Sequence, residues 1–191
     1  MADFRKALPA LLDHEGVKLD ERGVPIPGQT GYANRADDAG GETNFGITIK
    51  TARSHGYTGP MIDMPFEIAV TIYKREYWDI HMLDEIPEDI AMEVFDSGVN
   101  CGSGNAARWL QRTLNILNLR GTLYADVPVT GRIDGATIAA LKSCLAAFPD
   151  NNKTIIRFMD SLQGAYYLTI TEANPKNESN ARGWALKRLR G

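Results

Sequence analysis

The chain is poor in the features that mark several large protein classes. It has two cysteines, Cys101 and Cys144, in 191 residues. No Cys-x-x-Cys pair or Cys/His cluster accompanies them, so no zinc site is expected, and both are read as buried free thiols. No apolar run approaches the ~20 residues that span a bilayer, which excludes a membrane-inserted helix. The opening "MADFRKALPALLDHEG" holds one short apolar stretch interrupted by Pro9 and no small-residue cleavage site, so no signal peptide is read. Positive charge is not in excess: a net charge of -3 and a pI near 5.6 leave no electrostatic footprint for nucleic acid. A phosphate loop GxxxxGK[ST] and the spacing of an EF-hand are both missing. His14, His55 and His81 are scattered and are expected to be solvated or packed. With 43% apolar and 24% charged residues the chain is no candidate for disorder. At this length a globular chain buries roughly 70% of the surface it exposes unfolded, enough for a core without staples.

What is present is mostly helical periodicity. Phe4, Ala7, Leu8, Leu11 and Leu12 mark an opening helix, kinked or divided at Pro9. About thirty residues rich in Gly, Pro and Asp follow, part of them a short hairpin; its "VPIPG" cannot be a central strand, because each proline removes a ladder donor. Helices are then expected from Thr48 to His55, after Pro65 with Phe66, Ala69, Val70, Tyr73 and Tyr77 on one face, and after Pro87 with Ile90, Val94 and Phe95 inward. Ala107, Leu110, Leu114 and Leu117 give another. Ile138, Leu141, Leu145 and Phe148 give the next, and Ile155, Met159, Leu162 and Tyr166 the last long one. A polar tail with Trp184 and a basic end closes the chain. The fold class is mainly α, with one irregular segment after the first helix.

Two places concentrate chemistry. Glu15 continues the spacing of Phe4, Leu8 and Leu11, which sets a carboxylate at the C-terminal end of an apolar helix face. Removal from water and the negative end of the helix dipole both favour the neutral acid there. Glycosidic cleavage needs such a group, because the leaving oxygen must receive a proton. The plain alternative is a solvated helix-end residue. The second place is "DDAGGETNFGI", Asp37 to Ile47, where glycines that permit unusual backbone angles alternate with polar side chains. Its plain alternative is a turn with Thr43 or Asn44 capping the next helix.

Taken together, Glu15-Gly16 and the run Tyr32, Asn34, Asp38, Gly40, Gly41, Thr43, Asn44, Phe45, Gly46, Ile47 resemble glycoside hydrolase family 108, the phage-type N-acetylmuramidases. "REYWD" (Arg75 to Asp79), "FDSGVNCG" (Phe95 to Gly102), "AARWLQRTLN" and "VTGRIDGATIAAL" extend the resemblance over nearly the whole chain, the last two in a half resembling a peptidoglycan-binding domain. Departures cluster near Glu15. Val17 stands where the family has a second glycine, Tyr32 comes only after an apparent insertion "VKLDERGVPIPGQTG", Arg35 replaces an Asp and Ala39 a Pro. The insertion is expected to extend the cleft wall as a hairpin.

The resemblance implies a lysozyme-like helical fold, with a catalytic lobe over residues 1–95 and a peptidoglycan-binding-like lobe over 96–191. It implies a muramidase cutting the β-1,4 bond between N-acetylmuramic acid and N-acetylglucosamine, with Glu15 as general acid. Asp38 or Thr43 would position or activate water, and Asp38 could steady oxocarbenium charge. A carboxyl separation of ~6.5–9.5 Å would mean inversion and ~5–5.5 Å retention. Sugar contacts are expected from Tyr32, Asn44, Tyr77, Trp78 and Asn100, the two aromatics Tyr77 and Trp78 having core packing as the equal alternative. Asp96 is read as a helix brace, and Trp109 and Trp184 as core or docking residues. No metal or cofactor is implied. The partner is the peptidoglycan glycan strand, met by a monomer. Made in the cytoplasm, an endolysin without a signal peptide would reach the periplasm through a holin; a muramidase opening the wall for secretion is a related setting. The competing classes are a wall-binding module without catalysis, a lytic transglycosylase using the same kind of acid, and an α-helical interaction protein.

Overall fold

The computed structural model describes residues 1–34, 41–148 and 150–189. Among them are eight α-helices and two small antiparallel hairpins, the mainly α architecture expected. The chain forms two compact units: residues 3–76, and residues 1–2 with 77–191.

In the first unit, α1 (Phe4–His14) starts where the Asp3 side chain accepts the Arg5 N–H at 2.9 Å. It buries Phe4, Ala7, Leu8, Leu11 and Leu12. Pro9 does not divide it: the helix runs through, with the proline on its exposed face. The inserted segment is a hairpin of β1 (Val17–Leu19) and β2 (Pro25–Thr30), with Val17 opposite Thr30 and Leu19 opposite Pro25. A two-stranded sheet has only edges, which is where a strand holding Pro25 and Pro27 can sit. Asp20 ties the connecting turn, its side chain accepting the N–H groups of Arg22 and Val24 at 2.9 Å each. The Val24 N–H bond first, then the bond from the Arg22 guanidinium, hold the Asp20 carboxyl below its usual range.

A second hairpin, β3 (Thr43–Asn44) and β4 (Ile47–Thr48), turns at Phe45-Gly46. Helix α2 (Ile49–Ser54) follows directly, capped by Thr48. Neither Thr43 nor Asn44 is the cap; both belong to the hairpin. Helix α3 (Phe66–Tyr73) begins after Pro65 and buries Ala69, Ile72 and Tyr73. From Lys74 to Trp78 it widens into a π-helical turn. One extra residue per turn moves the next buried position after Tyr73 from 77 to 78: Trp78 is wholly buried and Tyr77 half-buried.

The second unit is helical throughout its core. It contains α4 (Glu88–Cys101), α5 (Ser103–Leu117), α6 (Gly135–Ala147), α7 (Asn151–Ala173) and α8 (Glu178–Arg188). Ile90, Phe95, Leu110, Leu114, Ile155 and Met159 fill its interior, as the spacings predict. Phe148 does not join them. It leaves α6 in extended backbone and is 48% exposed, while Cys144 takes the buried place. On α7 the buried face after Met159 runs through Gln163 and Tyr167 rather than Leu162 and Tyr166. Gln111 is wholly buried and holds the loop before α6: it donates to the Arg132 carbonyl at 2.9 Å and accepts the Gly131 N–H at 3.0 Å. The polar tail is helical too. Trp184 of α8 stacks on Tyr167 at 5.0 Å, and Arg188 reaches the buried Asp96 of α4 at 2.5 Å. Asp96 is therefore a brace, as expected. Cys101 and Cys144 are buried free thiols, and burial pushes the Cys101 thiol up. Among the described residues no helix is long and apolar enough to cross a membrane.

Candidate functional site

Glu15 ends α1. Its backbone N–H still bonds back to Leu11 at 3.1 Å, but the next residue, Gly16, adopts φ +76° and turns the chain into β1. That break leaves the Glu15 side chain half-buried at a helix end rather than covered by a further turn. Two more glycines close around it. Gly31, with φ +68°, crosses so near that a Cβ there would lie 3.1 Å from the Glu15 carbonyl oxygen. Gly46, with φ +75°, lies against the carboxylate's stem: a Cβ would meet Glu15 Cγ at 3.3 Å and Tyr73 Oη at 2.4 Å. Both need glycine twice over, for the backbone angle and for the space.

The hairpin carrying Gly46 is unusually determined. Phe45 and Gly46 both have positive φ, at 51° and 75°, the backbone of a type I′ turn. Asn or Asp is the usual occupant of the first position; a phenylalanine there costs about 1–2 kcal/mol. Its surroundings hold it. The Phe45 N–H reaches the Thr30 carbonyl at 2.9 Å and the Asn44 side-chain oxygen at 3.0 Å. The buried Tyr73 hydroxyl donates to the Phe45 carbonyl at 2.9 Å, and the Phe45 ring packs on Phe66 at 5.2 Å. Asn44 is 1% exposed and donates to the Met61 carbonyl at 2.8 Å. Thr43, half-buried, pairs with Thr48 on one side and exchanges both backbone bonds with Ala33 on the other. The side chains of Thr43 and Asn44 point to opposite faces, as strand neighbours must.

Beside Glu15 runs an open groove of about 590 Å³. Gly16 and Gly31, the two glycines bounding Glu15's backbone, line it, with Lys18, Gln29, Tyr32 and Ile62. One wall is thus the inserted hairpin. Tyr32 is 38% exposed and donates to Glu42 at 2.7 Å, and that bond keeps its phenol protonated above the usual range. A groove that passes the backbone of Glu15, with exposed amide and phenol groups and an apolar ledge at Ile62, is suited to a polar chain with hydrocarbon faces.

The predicted site residues divide between the units. Glu15, Tyr32, Thr43 and Asn44 lie together in the first. Asp38 falls with residues 35–40 outside the described residues. Asn44 is too buried to touch a ligand and serves instead to fasten the hairpin to the Met61 turn. Tyr77, Trp78 and Asn100 lie in the second unit. Trp78 is a core residue, its indole N–H donating to Asp84 at 2.7 Å and its ring edge-on to Phe95. Asn100 accepts from the Tyr167 hydroxyl at 2.6 Å, a brace between α4 and α7. Sequence reasoning missed the parts played by Gly31 and Tyr73; the positive-φ need at Gly31 leaves no periodic trace. Among the described residues no group of His, Cys, Asp and Glu side chains is placed to hold a metal ion.

Comparison with known proteins gives two family matches in order along the chain. Residues 8–102 match the family model "Glycosyl hydrolase 108", and residues 105–189 match the "Predicted Peptidoglycan domain". The fold is similar to that of Brucella abortus SagA, with a TM-score of 0.62 at 22% sequence identity over 98% of this chain and 96% of that one. No curated protein matches.

Proposed function

The chain belongs to the glycosyl hydrolase 108 family, and from that premise we propose that it is an N-acetylmuramidase acting as a phage or prophage endolysin on the host wall. A glycosidase segment followed by a peptidoglycan domain makes it a peptidoglycan hydrolase. The bond cut, in this reading, is the β-1,4 link from N-acetylmuramic acid to N-acetylglucosamine. The observation that carries it is Glu15: a carboxyl at the end of a helix, packed on Gly46, with the groove-lining Gly16 and Gly31 on either side of its backbone.

The protonated Glu15 carboxyl gives its proton to the glycosidic oxygen as the C1–O bond breaks and its electron pair leaves on that oxygen. Water adds to C1. Its proton passes to Asp38, with Thr43 orienting the water, since a hydroxyl is too weak a base to take it. General-acid transfer of this kind is worth ~10²–10⁴-fold. Tyr32 and the groove wall hold the glycan chain. Conversion of Glu15 to Gln keeps the side chain's volume and hydrogen bonding while removing the proton donor. The variant is expected to fold as wild type and to lose turbidity clearance of cell-wall suspensions; clearance at the wild-type rate would refute the assignment.

A further inference from the structure

The inserted hairpin puts one charge into the groove. Strand alternation turns Val17 into the core and Lys18 outward. Among the described residues Lys18 is the only charged side chain that lines the groove. It is also anchored. Its ammonium bonds the carboxylate of Asp13, two residues before Glu15, and that contact holds the Asp13 carboxyl below its usual range. The cation is thereby held close to the carboxyl end of α1 instead of sweeping through solvent.

Resting on the muramidase reading, we infer that Lys18 is a specificity residue that recognises a carboxylate on the 3-O-lactyl arm of the muramic acid. N-acetylglucosamine units are neutral; the charge on a peptidoglycan strand is carried by the muramyl arm. A single cation in a groove otherwise lined by glycines, amide, hydroxyl and apolar groups meets a neutral polysaccharide with no complementary partner. It meets a muramyl strand with one in every disaccharide. Asp13 occupies the ammonium in the free protein, and the substrate carboxylate shares or takes over that bond. Both partners of the pair are half-exposed, at 50% and 60%, so the exchange needs no burial of an unpaired charge. The carboxylate has two sources: the lactyl group itself in strands without peptide, or the acidic residues of an attached stem peptide.

The test separates these sources and is read as binding, in the Glu15→Gln protein, so that no turnover is required. Three ligands are titrated by calorimetry at low salt: a peptide-free N-acetylglucosamine–N-acetylmuramic acid tetrasaccharide, the same glycan with stem peptides, and chitotetraose. Adding Lys18→Gln is expected to weaken the muramyl ligands by up to about fivefold, the upper end for an exposed ion pair, and to leave chitotetraose unchanged. Asp13→Asn should tighten the same ligands, and ~0.5 M salt should erase both differences. A loss confined to the peptide-bearing glycan assigns the carboxylate to the stem; a loss confined to the peptide-free glycan assigns it to the lactyl group, whose carboxyl is an amide once a stem is attached; a loss on both means that Lys18 accepts either carboxylate. Equal binding of all three ligands with and without Lys18 would overturn this inference and leave the muramidase reading standing. No binding of any glycan by the Glu15→Gln protein would overturn both.

Discussion

Gly46→Ala is the sharpest perturbation of the site that leaves its chemistry untouched. The added methyl has two separable consequences. The first is backbone strain: at φ +75° an alanine costs about 1–2 kcal/mol relative to glycine. The second is crowding. The new Cβ would lie 2.4 Å from the Tyr73 hydroxyl, in a side chain that is 1% exposed and has no route to solvent. The hydroxyl must move, and its bond to the Phe45 carbonyl lengthens or breaks, for about 1 kcal/mol or more. Destabilisation of ~2–4 kcal/mol follows in urea titration. The Cβ would also press on Glu15 Cγ at 3.3 Å, so the carboxyl shifts by tenths of an ångström; misplacement on the ångström scale can cost ~10²-fold in rate, and an activity loss of ~10-fold or more is expected. Gly23→Ala is the control, since its φ is +77° and a Cβ there meets nothing within 4 Å; it should show the strain alone and full activity. Adding Tyr73→Phe to Gly46→Ala removes the colliding oxygen and should recover part of the stability without restoring the rate. Wild-type clearance by Gly46→Ala, at a stability equal to that of Gly23→Ala, would refute the packing of Glu15 on this glycine.

Three further outcomes are expected. Burial holds His81 down at about 4, against 6.5 for a free imidazole, so the unfolded chain takes up a proton first as pH falls. The stability tied to this group is complete above pH 6.5, declines through the interval to about 4 and is flat below, a difference of ~3 kcal/mol that His81→Gln should remove from the pH–stability curve. Arg188→Ala breaks the buried ion pair with Asp96 and should cost ~3–5 kcal/mol by chemical denaturation, whereas the double variant Asp96→Leu with Arg188→Met should recover most of it. Lys18→Gln in the Glu15→Gln background should weaken binding of muramyl ligands and leave that of chitin ligands unchanged, as calorimetry would show.

Much of this was legible in the sequence, and the failures have physical causes. Helix faces such as Ile90, Val94, Phe95 on α4 follow a 3.6-residue period and were read directly. The period misled where the helix changed pitch: the π-turn at Lys74–Trp78 moved Trp78 into the core, and nothing in a spacing rule anticipates it. Helix α8 leaves no periodic signature in the sequence because what docks it is two contacts, Trp184 on Tyr167 and Arg188 on Asp96, rather than an apolar stripe. Glu15 stood out because a carboxylate at an apolar helix face is costly. The hairpin "TNFGI" resembles a turn with a capping residue in local sequence because Thr and Asn serve both purposes, and Phe in a left-handed turn is held by tertiary partners that local sequence does not reveal.

The central claim, that Glu15 protonates the oxygen of the muramyl–glucosaminyl bond, is tested most directly by mass spectrometry of purified peptidoglycan digested with wild-type protein and with Glu15→Gln. The account predicts disaccharide peptides ending in reducing N-acetylmuramic acid from wild type and none from the variant. Products ending in reducing N-acetylglucosamine or in anhydro-muramic acid, or the same products from both proteins, would contradict it.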